Sequence, residues 1–96
     1  MKLEWSAFSF ADRDSIFDYI EADSPRAAIA VDDAIAKAAR QLIDFPQSGR
    51  IGRVTGTREL VVSTLPYIVA YAIQGDVVRI LRVLHSAQKW PDDMPN

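Results

Sequence analysis

Three residues in the second half of the chain carry side chains suited to work on a phosphodiester: Arg58, Arg82 and His85. Arginine stabilises charge developing on a phosphoryl oxygen, and imidazole moves a proton near neutral pH. Together they have the makings of ribonucleolytic cleavage. Each also has a structural reading. Arg58 can pair with an acid, Arg82 can stack between Tyr67 and Tyr71, and His85 can hydrogen-bond at a strand end. Arg50 and Arg53 lie in "GRIGRVTG", a glycine-rich stretch that could meet phosphates. It follows a helical pattern and lacks the lysine–serine ending of a phosphate-binding loop, so it reads as a loop or edge strand.

Other chemistries find less support. A Ser-His-Asp triad would rest on the single histidine, and no G-x-S-x-G elbow is present. One histidine and no cysteine make a zinc site improbable. Asp32 and Asp33 are adjacent, so on a helix they diverge by about 100° and suit a solvated face. No metal and no cofactor is implied. Trp90 reads as a packing residue that closes the open edge of the sheet rather than a platform for a base.

The rest of the chain must position these groups. Its 96 residues make one domain, 1–96, with 49% hydrophobic and 25% charged residues, an ordinary soluble composition. No apolar run approaches the roughly 20 residues of a membrane span, and no secretion signal is visible, so a cytoplasmic location is expected. The net charge of −2 is unevenly spread. Residues 1–48 hold nine acids and five bases, whereas residues 49–90 hold six bases and two acids. A locally basic half suits an anionic or acidic partner, but nucleic-acid binders usually carry net positive charge overall.

"KLEW" reads as a first strand. Phe10, Ile16, Phe17 and Ile20 recur at helical spacing between Phe8 and Glu21. Ser24 is placed as an N-cap with Pro25 at the first helical position, and a second helix runs to about Asp44 on a stripe of Ala28, Val31, Ile35, Ala38 and Leu42. "DFPQSGR" ends it. Beyond, "RELVVS", "YIVAYAI" and "VVRILRVLH" alternate as strands, the last two joined by a tight turn at Gly75-Asp76. The fold class is α+β in the order βααβββ, a helical hairpin packed on one face of an antiparallel sheet. An unbroken hairpin register places Tyr67, Val69, Tyr71, Ile73, Val78, Ile80, Arg82 and Leu84 on one face. The other carries Ile68, Ala70, Ala72, Leu81 and Val83, predicted to lie beneath the helices. Arg82, Tyr67 and Tyr71 then share the open face.

Ordered along nearly the whole chain are Trp5, "IFDYIEADSPRAA", "LIDFPQSGRIG", "GTREL", "PYIVAYAI" and "VVRILRVLHSAQKWP". This series resembles the RelE/ParE superfamily of bacterial type II toxin–antitoxin toxins. It looks closest to the ParE branch, where a P-x-x-G-R turn, an R-E-L strand and an R-V-L-H strand recur in this order.

The resemblance implies a toxin held inactive by a co-expressed antitoxin, ParD- or RelB-like, which alone would contact operator DNA. In the ParE branch the target is DNA gyrase and inhibition is by binding. In the RelE branch the toxin cuts messenger RNA on the ribosome. There Arg58 and Arg82 match the arginines of the third and last strands, and His85 matches a following histidine that in some relatives takes part in cleavage. These three are the catalytic set the nuclease alternative implies. Trp90 stands where many of those nucleases place Tyr or Phe. A third possibility is a degenerate member retaining only antitoxin binding and operator regulation. The target- or antitoxin-facing set is Arg50, Arg53, Arg58, Tyr71, Arg82, His85 and Trp90.

Overall fold

The computed structural model describes residues 1–91, so the acidic end of the chain, with Asp92 and Asp93, lies outside it. Strand β1 (Lys2–Trp5) leads into helix α1 (Ala7–Glu21) and helix α2 (Pro25–Asp44). Four strands follow: β2 (Arg50–Ile51), β3 (Arg58–Val61), β4 (Tyr67–Gln74) and β5 (Val77–His85). They form one five-stranded sheet in the order β1-β5-β4-β3-β2. The expected α+β architecture is present. The sheet is mixed, however, because β1 runs parallel to β5 while the other neighbours are antiparallel. The stretch read as a loop or edge strand supplies β2.

Local chemistry accounts for the helix boundaries. Ser6 caps α1 by accepting the Ser9 N–H at 3.0 Å, and Ser24 caps α2 by accepting the Ala27 N–H at 3.2 Å. Pro25 then fills the first turn of α2, where a missing N–H leaves no bond unmade. The two helices are tied by a two-pronged ion pair, Arg13 to Asp32, with both N–O distances 2.9 Å. Helix α2 buries Ala28, Ile35, Ala38, Ala39 and Leu42. Helix α1 buries far less: Ile16 and Ile20 reach the core, but Phe10 is half exposed and stacks on Trp5 at 5.9 Å between ring centroids.

The sheet face against the helices differs from the one expected. Tyr67, Val69, Tyr71, Val78, Ile80 and Val83 form the core with Ile35, Ala38, Ala39 and Leu42. Tyr67 and Tyr71 are therefore beneath the helices and not on an open face. Two causes combine. First, alternation fixes which residues share a face but not which face meets the helices, and the opposite face also buries Ile68, Ala70 and Leu84. Second, β5 carries a bulge: Tyr71 pairs with Ile80 but Ala70 pairs with Arg82, leaving Leu81 without a partner. Beyond that point every β5 side chain changes face, so Val83 joins the core while Arg82 and Leu84 leave it.

The same region explains how β5 continues after its neighbour ends. β1 pairs with β5 only as far as Ile80. From there α1 takes over the edge. Ser6 N–H donates to the Ile80 carbonyl at 2.9 Å, Ser6 Oγ donates to the Leu81 carbonyl at 2.8 Å, and Asp12 accepts the Val83 N–H at 2.9 Å. Backbone groups that a sixth strand would satisfy are satisfied by a helix.

Candidate functional site

The three residues suited to phosphodiester chemistry do not meet. Arg58 pairs with Tyr71 and His85 pairs with Tyr67, four residues apart along β4 and on strands either side of it. At about 3.3 Å per residue and 4.8 Å per strand, their backbones are on the order of 15 Å apart. Arg82 pairs with Ala70, whose side chain projects from the opposite face.

Each of the three is also engaged within the chain. Arg82 grips Asp12 of α1 through Nε at 2.7 Å and Nη2 at 2.8 Å. These hydrogen bonds push its guanidinium further toward the charged form, against the opposing effect of burial. The expected stacking of Arg82 between two tyrosines is replaced by this ion pair. Arg58 donates to the Gly49 carbonyl at 2.8 Å, bracing the connection from α2 to β2. His85 accepts the Ala87 N–H on Nδ1 at 3.0 Å, and its ring stands edge-on to Tyr67 with centroids 5.5 Å apart.

Tyr71 is fully buried, which removes it from any binding surface. Its hydroxyl donates to the Pro46 carbonyl at 2.7 Å and accepts the Gly49 N–H at 3.0 Å. Burial raises its phenol above the usual range, with the Gly49 bond and the Arg58 charge opposing that rise only in part. Gly49 has no room for a side chain: a Cβ there would sit 2.6 Å from the Tyr71 oxygen. The "FPQSGR" turn is thus moulded around one phenol.

Arg50, Arg53 and Trp90 do come together, around a residue that the sequence reading did not single out. Glu59 in β3 is buried to 3% exposure and receives Arg50 Nη2 at 3.0 Å, Arg53 Nε at 3.2 Å and the Arg53 backbone N–H at 2.8 Å. Burial works against its charge, but the bonds from Arg53 and Arg50 outweigh it and hold the carboxyl below its usual range. The outer side of the Arg53 guanidinium lies 3.6 Å over the Trp90 ring. Trp90 is thereby held toward β3, over the sheet face turned away from the helices, rather than at the edge of β5. Arg50 and Arg53 remain about half exposed, so two fixed cations and an indole present a surface with net positive charge. A signal existed in the sequence: Glu59 is one of only two acids among residues 49–90.

The arrangement suits recognition better than proton transfer. It offers rigid guanidinium groups beside an aromatic ring, the composition that anchors protein interfaces. Among the described residues no three of His, Cys, Asp and Glu cluster as metal ligands, and no helix is long and apolar enough to cross a membrane.

Comparison with known proteins identifies the family. Residues 3–90 match the family model described as the ParE toxin of the type II toxin–antitoxin system parDE. The chain is 43% identical over 90 residues to the putative toxin Y4kP of Sinorhizobium fredii, covering 94% of this chain and 93% of that one. It is 37% identical over 84 residues to toxin RelE2 of Caulobacter vibrioides, covering 88% and 93%. A solved structure titled as the chromosomal ParDE system of P. aeruginosa superposes with a TM-score of 0.79 at 27% identity, covering 88% of this chain and 95% of that chain. The chain belongs to the ParE family of toxins from type II toxin–antitoxin systems.

Proposed function

We propose that the chain is a toxin that inhibits DNA gyrase by binding it, without covalent chemistry of its own, and that a co-expressed antitoxin neutralises it in the cytoplasm. One observation carries the reading: Arg58, Arg82 and His85 are separated and individually engaged, whereas Arg50, Arg53 and Trp90 converge on Glu59. Cleavage of RNA needs a proton-transfer group within hydrogen-bond reach of the phosphate that the arginines hold. Inhibition by binding needs a rigid complementary surface, and the Arg50–Glu59–Arg53–Trp90 cluster has that character. The ParE family match across residues 3–90 supports the same target through what the ParE branch implies.

The second reading is ribosome-dependent cleavage of messenger RNA, favoured by the 37% identity to a protein named RelE2. The two are separated by assaying one preparation both ways. Purified chain added to gyrase and relaxed plasmid should block supercoiling, while primer extension on translated message should show no new cleavage sites. Supercoiling unchanged at toxin excess, with cuts on the message that vanish in His85→Ala, would reverse the assignment.

A further inference from the structure

Among the described residues one buried polar side-chain atom has no hydrogen-bond partner: Nε1 of Trp90. An indole N–H can only donate, and leaving it unmet away from water is costly. Its charged neighbours do not meet it. Arg53, stacked 3.6 Å over the ring, carries donors alone. The Glu59 carboxylate is occupied, Oε1 by Arg50 Nε and Nη2, and Oε2 by the Arg53 backbone N–H and Nε. The N–H lacks an acceptor that the described chain does not supply.

The ring is also lightly held. The turn after β5 is fixed as far as Gln88, whose N–H donates to the His85 carbonyl at 3.0 Å. Beyond it no backbone hydrogen bond ties Lys89, Trp90 or Pro91 among the described residues. Side-chain contacts such as the Arg53 stack are left to hold the indole. A partner's acceptor can therefore meet the closed-off N–H once the indole turns outward.

The surroundings select the acceptor. Arg50 and Arg53 are each about half exposed, and their Nη1 groups make no hydrogen bond among the described residues. With Lys89 next in sequence, the cations outnumber the one buried acid and favour an anion over a neutral group. A carboxylate suits the place better than a phosphate backbone. These cations gather at one spot, whereas residues 1–48 hold nine acids and five bases and repel a long polyanion.

We propose that Trp90, Arg50 and Arg53 anchor one aspartate or glutamate on the surface of the target protein, the indole turning outward so that its N–H donates to that carboxylate. This rests on the reading of the chain as an inhibitor that acts by binding its target. Tryptophan beside arginine is also the pairing that carries much of the energy at protein interfaces.

The test follows the two indole N–H signals of the isotope-labelled full chain by NMR, with Trp5 as internal control. The probes are acetyl-Gly-Asp-Gly amide, its asparagine counterpart and a short DNA duplex. The Trp90 signal should shift and saturate with the aspartyl peptide about fivefold or more tightly than with the asparaginyl one, while Trp5 stays still. Trp90→Phe keeps a ring beneath Arg53 and removes an N–H that makes no bond in the free chain. Its melting temperature should stay close to wild type while binding to purified gyrase weakens by about tenfold or more. A structural role alone would lower the melting temperature and leave binding by the folded chain unchanged. A Trp90 signal that does not move, that answers both peptides equally, or that answers the duplex more tightly would overturn the carboxylate site. Trp90→Phe that binds gyrase as well as wild type would overturn its role as the anchor. Wild-type chain that ignores gyrase yet takes up the aspartyl peptide would overturn gyrase as the target and support the site.

Discussion

Asp12 and Arg82, 70 residues apart, are locked side-on between α1 and β5, and the same Asp12 oxygen that accepts Arg82 Nε also accepts the Val83 N–H. One carboxylate therefore neutralises a cation and closes a strand edge that has no neighbouring strand. The arginine of the last strand, which on sequence alone could serve a phosphate, is paired within the fold.

Removing the two partners should not cost the same. Asp12→Ala leaves both the guanidinium and a strand N–H without a partner in a largely buried setting, for a loss of about 2–4 kcal/mol. Arg82→Met leaves the Asp12–Val83 bond in place and should cost about half as much. Urea unfolding of the two variants and the double mutant measures this; equal losses would mean that Asp12 does not hold the edge.

Tyr71→Phe should destabilise by about 1–3 kcal/mol, since it strands the Gly49 N–H and the Pro46 carbonyl inside the turn. Gly49→Ala should do at least as much by overpacking the same ring. Thermal denaturation tests both. A neutral Gly49→Ala would show that the turn is not moulded on Tyr71.

Much of this architecture was legible in the sequence because it rests on local chemistry. Ser24-Pro25 fixed where α2 begins, the alanine-rich stripe fixed which side it buries, and Gly75-Asp76 fixed the hairpin. The remainder depends on relations with no local signature. Parallel pairing of β1 with β5 joins the two ends of the chain, and the bulge at Leu81 is one unpaired residue that reverses the faces of everything after it. The site was legible in part. Arg50, Arg53 and Trp90, which the structure brings together, are singled out by the sequence, but Glu59, on which they converge, reads as an ordinary strand acid. Arg82 looked available because its partner is 70 residues away.

Glu59 gives the fold a pH dependence of definite sign. Its folded-state carboxyl titrates below its ordinary value, so its contribution is present above the unfolded pKa of about 4.3 and is lost as pH falls through the folded value. The stability difference between wild type and Glu59→Gln should hold constant near neutral pH and shrink below about pH 4. A difference that grows on acidification would contradict the assignment of Arg50 and Arg53 as its partners.

Arg53 links the buried acid to the half-buried indole of Trp90, so on the proposed function its loss should reach the target directly. Arg53→Ala should weaken gyrase inhibition by about tenfold or more, and Arg53→Lys should recover little, since a lysine cannot bond Glu59 side-on and stack on Trp90 together. Dose–response curves for supercoiling provide the comparison. Full inhibition by Arg53→Ala would remove this cluster from the target surface.

The central claim is inhibition by binding rather than by cleavage, and the most direct measurement is supercoiling by purified gyrase titrated with the purified toxin. The account predicts that supercoiling stops at toxin excess and that His85→Ala inhibits as well as wild type. Gyrase that keeps supercoiling at the highest toxin concentration would contradict it.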